Sequence, residues 1–124
     1  MIVGIGHDLV HLPRFTRVFT EWSERFVARV FTLPERTYCA AFHEPARHYA
    51  ARFAAKEAFY KALMRGRQLP LGFHEAWVVM AEDSLRLELG PRALELARAA
   101  GVRHTHVSLS HDGDYASAFV VLEG

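Results

Sequence analysis

The chain has 124 residues, of which 51% are hydrophobic, and its formal net charge is +1. This size and composition fit one folded domain over residues 1–124 and argue against disorder. The near-neutral charge argues against nucleic acid as a partner, because domains that bind it are usually strongly basic. The single cysteine excludes an internal disulfide, and the sequence shows neither a secretory signal nor a membrane span. We therefore expect a cytoplasmic protein that does not bind membranes.

The first predicted element is an apolar strand, IVGIG, that contains two glycines. Its branched residues suit a buried strand, whereas Gly4 and Gly6 weaken one unless something approaches the backbone closely. Asp8 stands where we expect the strand to end. A carboxylate beside a space made by glycines indicates a metal or a phosphate-bearing ligand, although a polar strand exit alone also explains it. A dinucleotide fingerprint is excluded, because Leu9 replaces its third glycine.

Helical segments follow the strand. LPRFTRVFTEW predicts a helix with an apolar stripe formed by Phe15, Val18, Phe19 and Trp22. SERFVARVF predicts a second, short helix. Thr32 and Glu35 form a capping box at the start of a third helix. HEPARH predicts a break, after which YAARFAAKEAFYKALMRG gives the strongest helical signal of the chain and ends at Gly66.

The second half of the sequence is rich in strand patterns. AWVVMA and LRLEL predict a hairpin around EDS, and GPRALELARAAG predicts a short helix. HTHVSLSH and YASAFVVLE predict a closing hairpin around DGD. The order of strand, helices, two strands, helix and two strands predicts an α+β fold, with a largely antiparallel sheet packed against helices.

The long middle helix carries an unusual set of charges. Between Tyr49 and Gly72 the sequence has one acid, Glu57, among the bases Arg52, Lys56, Lys61, Arg65 and Arg67. Like charges four residues apart on a helix repel, and a bound polyphosphate would compensate them. An ordinary surface ion pair explains Glu57 and Lys61 most simply. A Mg²⁺–polyphosphate site would use the same two groups, one as a hard oxygen ligand and one as a phosphate-binding ammonium.

The segment HVSLSHDGDY is the third candidate for a functional site. Ser110 and His111 can present a hydroxyl and an imidazole to phosphate oxygens at the end of a strand. His104 and His106 have the spacing of a metal-binding pair, but such histidines more often line a polar strand face, and no third ligand completes a zinc site. Taken alone, each of these residues is best explained as part of an ordinary polar strand.

Together, these stretches resemble the holo-acyl-carrier-protein synthase family, the small phosphopantetheinyl transferases. The resemblance is carried by IVGIGHDLVHLPRF, RFVARVFTLPE, RFAAKEAFYKAL and HVSLSHDGDYASAFVVLE, which with their spacing cover nearly the whole chain. Three departures stand out: His7 replaces a residue that is usually apolar, His11 replaces a common acid, and AEDSLRLELG lacks a Gly-Lys-Pro-like turn. The resemblance implies a 4′-phosphopantetheinyl transferase-like fold.

The resemblance also implies a reaction. Such enzymes move the 4′-phosphopantetheine group of coenzyme A onto a serine of an acyl carrier protein and release adenosine 3′,5′-bisphosphate. Asp8 and Glu57 would be the carboxylate ligands of Mg²⁺, the glycines would leave room for coenzyme A, and Lys61 would offset pyrophosphate charge. Glu57, directly or through a metal-bound water, would take the serine proton. The coenzyme phosphates would be bound by Arg52, Lys56, Lys61, Ser110 and His111.

A carrier protein is acidic, so its docking site should be basic. Arg14 and Arg17, together with Arg25 and Arg29, lie on the N-terminal helical region and are candidates for this contact. Ordinary solvated charge is the simpler explanation, because two glutamates nearby partly cancel them. The resemblance further implies a homotrimer with active sites between subunits.

Two other functions remain open from the sequence. One is a non-catalytic coenzyme A- or nucleotide-binding module of a larger synthase, which would need the basic helix but no pair of carboxylate ligands. The other is a structural α+β domain in which Glu57 and Lys61 form only a surface ion pair.

Overall fold

The computed structural model describes residues 1–68 and 70–124. Over these residues the chain forms β1 (Ile2–His11), α1 (Leu12–Val30), α2 (Leu33–Ala40), α3 (Pro45–Met64), a 3-10 turn (Phe73–Glu75), β2 (Ala76–Ala81), β3 (Ser84–Leu89), α4 (Pro91–Ala99), β4 (His104–Asp112) and β5 (Tyr115–Glu123). The predicted α+β class, with antiparallel strands packed against helices, is confirmed. None of the helices in the described residues is both long and apolar enough to cross a bilayer.

The strands form two antiparallel sheets rather than one. One sheet has the order β1-β5-β4, and β2 pairs with β3 in a separate hairpin. The register pairs Asp8 with Ala118 and His11 with Tyr115. The expectation that β1 ends at Asp8 is therefore wrong, because β5 continues to supply backbone partners for three residues beyond it. Asp8 therefore lies within the strand, and backbone pairing with β5 before and after Asp8 fixes its position.

Helix α3 packs directly against β1. A Cβ atom added at Gly4 would overlap the carbonyl oxygen of Ala62, and one added at Gly6 would overlap that of Ala58. The glycines of β1 therefore admit the backbone of α3, and the space that we expected for coenzyme A is filled by this helix. The alanines of α3 make the close approach possible on the other side. Those that are buried are Ala50, Ala51, Ala54, Ala55, Ala58 and Ala62.

The helices before α3 differ in detail from the predicted ones. The two predicted N-terminal helices form a single run, α1, which bends at Ser23, where φ is 38°. The capping box of α2 is confirmed, since the Thr32 N–H donates to Glu35 Oε1 at 2.9 Å. Pro45 begins α3 inside the predicted break, as a proline suits a first helical turn. The apolar stripe of α1 is only half buried, because the Trp22 side chain is 54% exposed.

Candidate active site

Asp8 of β1 and Glu57 of α3 line one cavity of about 390 Å³ between β1, α1 and α3. Burial raises the pKa of Glu57, and repulsion by the Asp8 carboxylate raises it further, whereas the positive charge of Lys61 lowers it. The two carboxylates are 49 positions apart in the sequence and influence each other directly in the fold. The structure thus brings together the two residues that the sequence singled out as metal ligands.

Lys61 completes this cluster. Its Nζ atom donates hydrogen bonds to Asp8 Oδ1 at 2.9 Å and to the His7 carbonyl oxygen at 3.1 Å. The simple alternative of a Glu57–Lys61 surface pair is not what forms, because the ion-pair partner of Lys61 in the described chain is Asp8. Lys61 therefore links α3 to β1 at the cavity.

The donor set at this cavity fits a hard divalent cation such as Mg²⁺. Mg²⁺ is usually held by one or two carboxylates together with substrate phosphates and water. Within residues 1–68 and 70–124, no group of three or more His, Cys, Asp or Glu side chains is arranged to hold a metal. Asp8 and Glu57 thus provide two oxygen ligand groups, and the remaining ligands of Mg²⁺ would have to come from a substrate or from solvent.

Lys56 lies in the protein core, with no exposed side-chain area. Its ammonium is 2.6 Å from Glu35 Oε1 and donates to the carbonyl oxygens of Phe73 and Ala76, each at 2.7 Å. These three partners use all three hydrogens of the ammonium. The structure therefore contradicts the expectation that Lys56 binds a coenzyme phosphate. The anion that compensates its charge is Glu35, and burial lowers the pKa of Lys56 and raises that of Glu35.

Arg52 differs from Lys56, because no acid of the described residues forms an ion pair with its buried side chain. Its side chain is 4% exposed, its guanidinium lies 4.2 Å from the centre of the Tyr38 ring, and its Nε finds no hydrogen-bond partner among the described residues. Burial lowers the pKa of His111, and the charges of Arg47 and Arg52 lower it further. Burial likewise lowers the pKa of His48, with Arg52 as the next cause. We refer to Arg47, His48, Arg52 and His111 together as the cationic cluster, in which the two arginines carry the permanent charge.

A cavity of about 420 Å³ opens beside the cationic cluster. Its lining residues are Phe42, His43, Glu44, Arg47, His48 and His111. The imidazole of His48 is held in place by stacking on Phe42, with 3.7 Å between ring centres. Glu44 is the one acid of this lining, and its ion pair with Arg47 is long, at 3.9 Å, and exposed. Arg47 in the lining and the buried Arg52 beside it supply permanent positive charge, and the histidine rings supply N–H donors, so this cavity is suitable for an anion such as a phosphate.

Ser110 does not join this cluster within one chain. Successive residues of a strand point to opposite faces, so Ser110 lies on the face of β4 opposite to His111. Its partner in the ladder is Ser117 of β5, whose hydroxyl is 3.1 Å from His7 Nε2. Ser110 is thus exposed on the outer face of the three-stranded sheet, the face directed away from α3.

A third cavity, of about 680 Å³, lies along α1, and we refer to it as the α1 groove. Its lining residues are Val18, Trp22, Arg25, Phe26 and Arg29. Val18 and Phe26 also line the cavity of Asp8 and Glu57, so the two cavities are contiguous. Arg14 lines the Asp8 cavity itself, whereas Arg17 is exposed on α1 and lines neither. An exposed apolar groove with basic residues is typical of a surface that binds another protein.

Comparison with known proteins identifies the family. The family model described as the 4′-phosphopantetheinyl transferase superfamily matches residues 4–120. The chain belongs to this superfamily. The holo-[acyl-carrier-protein] synthase of Geobacter sulfurreducens is 46% identical over 126 residues, which cover 99% of this chain and 98% of the relative. That of Syntrophus aciditrophicus is 41% identical over 127 residues, which cover 100% and 98%.

Solved structures of the superfamily share the fold. The crystal structure of the holo-[acyl-carrier-protein] synthase from Neisseria meningitidis has a TM-score of 0.90 and 31% identity, and the match covers 100% of both chains. The ACPS–CoA complex of Chronobacterium ammoniagenes has a TM-score of 0.81 and 33% identity, with 96% of this chain and 95% of that one covered. The resemblance and the transferase fold expected from the sequence are thereby confirmed.

Two residues of the cationic cluster, Arg47 and His48, are not among the site residues expected from the sequence. Arg47 and His48 lie in the segment HEPARH, which predicted a break, although α3 already begins at Pro45. Once the helix is extended to Pro45, His48 falls four residues before Arg52 and therefore lies on the same face. The spacing of His48 from Arg52 is therefore a signal that could have revealed His48, whereas no such spacing exists for Arg47.

Proposed function

We propose that the chain transfers the 4′-phosphopantetheine group from coenzyme A to a serine of an apo acyl carrier protein, releasing adenosine 3′,5′-bisphosphate. The observation that carries this proposal is that Asp8 and Glu57 line one cavity and that Lys61 bonds Asp8 beside it. A non-catalytic coenzyme A-binding module would need the cationic cluster alone. Two carboxylates brought together beside a lysine favour the enzyme over that alternative.

Asp8, Glu57 and Lys61 have different roles in the proposed transfer. In the transfer, a bond forms between the serine oxygen and phosphorus, and the bond from that phosphorus to the bridging pyrophosphate oxygen breaks. Mg²⁺, when held by Asp8 and Glu57, would polarise the phosphoryl oxygens and stabilise the charge of the leaving group. Lys61 places an ammonium where it can offset charge on the same oxygens. Glu57 accepts the serine proton, directly or through a water.

The phosphate groups of coenzyme A that do not react need their own binding site, and the cationic cluster is our candidate. Within the described part of the chain the buried Nε of Arg52 has no hydrogen-bond partner, and His111 lies near it at the end of β4. A phosphate in this position would compensate the charges of Arg47 and Arg52 and would favour the protonated forms of His48 and His111. Ser110 belongs to the proposed site as well, and it would have to reach coenzyme A from the outer face of the sheet.

The carrier protein is proposed to dock along α1. Arg14 and Arg17, with Arg25 and Arg29 of the α1 groove, present positive charge to an acidic partner. The exposed Trp22 offers an apolar contact between these charges. Because the groove opens into the Asp8 cavity, a carrier protein bound there would have its serine close to Glu57.

We also propose that the chain is a cytoplasmic homotrimer. The outer face of the three-stranded sheet exposes large apolar side chains, with Ile5 59%, Leu9 58% and Phe119 49% exposed. A second copy of the chain packed on this face would bury them. It would also bring Ser110 of one subunit to the boundary with its neighbour, which supports active sites between subunits.

A mass measurement tests the proposed transfer. The protein is mixed with apo carrier protein, coenzyme A and Mg²⁺, and the carrier protein gains the mass of the phosphopantetheine group. Asp8→Asn and Glu57→Gln should each abolish the transfer, whereas Glu88→Gln, on the exposed side of β3, should not. Near-normal transfer by either site variant would overturn the assignment. Binding of coenzyme A without any transfer by the unmodified protein would favour the binding module.

A further inference from the structure

Lys61 already neutralises one of the two candidate metal ligands. Its ammonium bonds both Asp8 Oδ1 and the His7 carbonyl oxygen, so two acceptors on β1 hold it in place. Asp8 is shielded in this pair, with 15% of its side chain exposed, whereas the Lys61 side chain remains 54% exposed. No other cation of the described chain lies within ion-pair distance of Asp8.

The same ammonium also acts on the second carboxylate. Its charge lowers the pKa of Glu57 against the effects of burial and of Asp8. Lys61 is therefore hydrogen-bonded to one carboxylate, Asp8, and acts on the other, Glu57, through its charge. A divalent cation arriving alone would compete with Lys61 for Asp8 and would also be repelled by its charge.

We propose that Lys61 is the resident counterion of Asp8 and that it makes the chain take up Mg²⁺ together with a pyrophosphate-bearing substrate rather than alone. This inference rests on the proposed function, because that function supplies the pyrophosphate. A pyrophosphate gives the ammonium an alternative anionic partner, which releases the Asp8 carboxylate for the metal. The small number of protein ligands agrees with this order, since two carboxylates leave Mg²⁺ dependent on further oxygens.

Direct binding of Mn²⁺ tests the proposal without reference to turnover. The hydrated ion has an electron paramagnetic resonance signal that decreases on binding, so free Mn²⁺ is measured for each variant with and without coenzyme A. Without coenzyme A, Lys61→Met should bind Mn²⁺ about tenfold more tightly than the unmodified protein, because a competing like charge is removed. Coenzyme A should strengthen Mn²⁺ binding to the unmodified protein by about tenfold or more and have a smaller effect in the variant.

Three controls make this test decisive. Lys61→Gln repeats the charge removal with a polar side chain, and both variants should fold because Lys61 is largely exposed. Arg65→Met removes a cation one helical turn away that bonds the Val3 carbonyl oxygen, and it should leave Mn²⁺ affinity unchanged. Asp8→Asn should abolish the tight binding that Lys61→Met creates. The proposal is overturned if neither Lys61 variant gains affinity, or if Arg65→Met gains as much.

The transfer assay, run in parallel, separates this proposal from the proposed function. Normal transfer by the unmodified protein, with no gain of Mn²⁺ affinity in the Lys61 variants, would overturn the counterion role and leave the enzyme assignment standing. Tighter Mn²⁺ binding in those variants, with no transfer by the unmodified protein, would support the counterion and overturn the enzyme assignment.

Discussion

Gly6 has no side chain, and this absence allows α3 to pack closely against β1. A Cβ atom at this position would overlap the Ala58 carbonyl oxygen, which belongs to the helix backbone. We expect Gly6→Ala to lower the free energy of unfolding by at least about 2 kcal/mol, because helix and strand must separate to admit a methyl group. Urea unfolding followed by circular dichroism measures the change.

Gly72→Ala is the matched control for Gly6→Ala. A Cβ atom there has no heavy atom within 4 Å, and φ is −84°, a value that alanine adopts readily. Its free energy of unfolding should stay within about 0.5 kcal/mol of the unmodified protein. Similar losses in the two variants would contradict the explanation by close packing, since the overlap exists only at Gly6.

The buried pair of Glu35 and Lys56 provides a second test at the level of single residues. Lys56→Met leaves the Glu35 carboxylate buried without its partner, and we expect a loss of about 3–5 kcal/mol at pH 7. Burial already raises the pKa of Glu35 above its ordinary value of 4.5, and removing the lysine raises it further. Stability contributed by such a group is present below pH 4.5 and is lost as pH rises through the folded-state pKa.

The expected signature is therefore a pH-dependent defect. Lys56→Met should be closer to the unmodified protein at pH 4 than at pH 7, and Glu35→Gln added to it should reduce the difference between the two pH values. Urea unfolding over pH 4–8 measures both effects. A loss of equal size at every pH would show that lost packing, rather than an uncompensated charge, is the cause.

At the scale of the elements, the proposed carrier contact lies on α1, and single substitutions can separate the contributions of its arginines. Arg17 lies outside the Asp8 cavity, whereas Arg14 lines it. Arg17→Glu should raise the KM for carrier protein about tenfold at low salt and leave kcat unchanged, because a charge at the rim acts mainly on association. Arg14→Glu should lower kcat as well, since it adds a third carboxylate to the cavity.

Steady-state kinetics at low and high ionic strength distinguish these effects. The KM of the unmodified enzyme for carrier protein should rise with salt, and that of Arg17→Glu should change less, because salt screens exposed charges. The KM for coenzyme A should stay constant in Arg17→Glu. Arg86→Glu, on the exposed side of β3, is the control. An unchanged carrier KM in Arg17→Glu at low salt would show that Arg17 is ordinary surface charge.

The elements also show how far the sequence predicts this molecule. The alanine-rich α3 and both hairpins have local patterns, so their existence and order could be predicted. The end of β1 could not, because its last residues are held by partners in β5 more than 100 positions away. The role of Lys56 was missed for the same reason. Its counterion, Glu35, lies on another helix, and a charge pattern within α3 contains no information about it.

Some features of the candidate site could likewise be predicted from the sequence, and others depend on the fold. Asp8 and Glu57 were predictable because each is an acid in an otherwise apolar or basic stretch. Lys61 pairs with Asp8 rather than with Glu57 because of the way α3 lies across β1. The spacing of residues within α3 does not determine that packing. The position of Ser110 on the outer face followed from strand alternation. What that face contacts is a question about the whole molecule.

At that scale, the three-stranded sheet has one face covered by α3 and one face open. On the open face, the His7 ring stacks on Phe119 with 4.2 Å between ring centres and an angle of 11° between ring planes. Exposed apolar and aromatic side chains in the middle of a sheet are costly in a monomer and typical of an interface between subunits. The open face is therefore where the proposed homotrimer should be tested.

Phe119→Lys is the variant that tests the trimer. Phe119 is half exposed, so a lysine there should leave the fold of one subunit intact while adding a charge to every copy of the interface. Light scattering should give a trimer for the unmodified protein and a smaller species for Phe119→Lys, and transfer should fall in parallel if, as proposed, the active sites lie between subunits. Met80→Lys, which adds the same charge at a half-exposed residue of β2, should remain trimeric and active. An unmodified protein that is monomeric and active at assay concentration would remove the trimer, and a trimeric Phe119→Lys would place the interface on another surface.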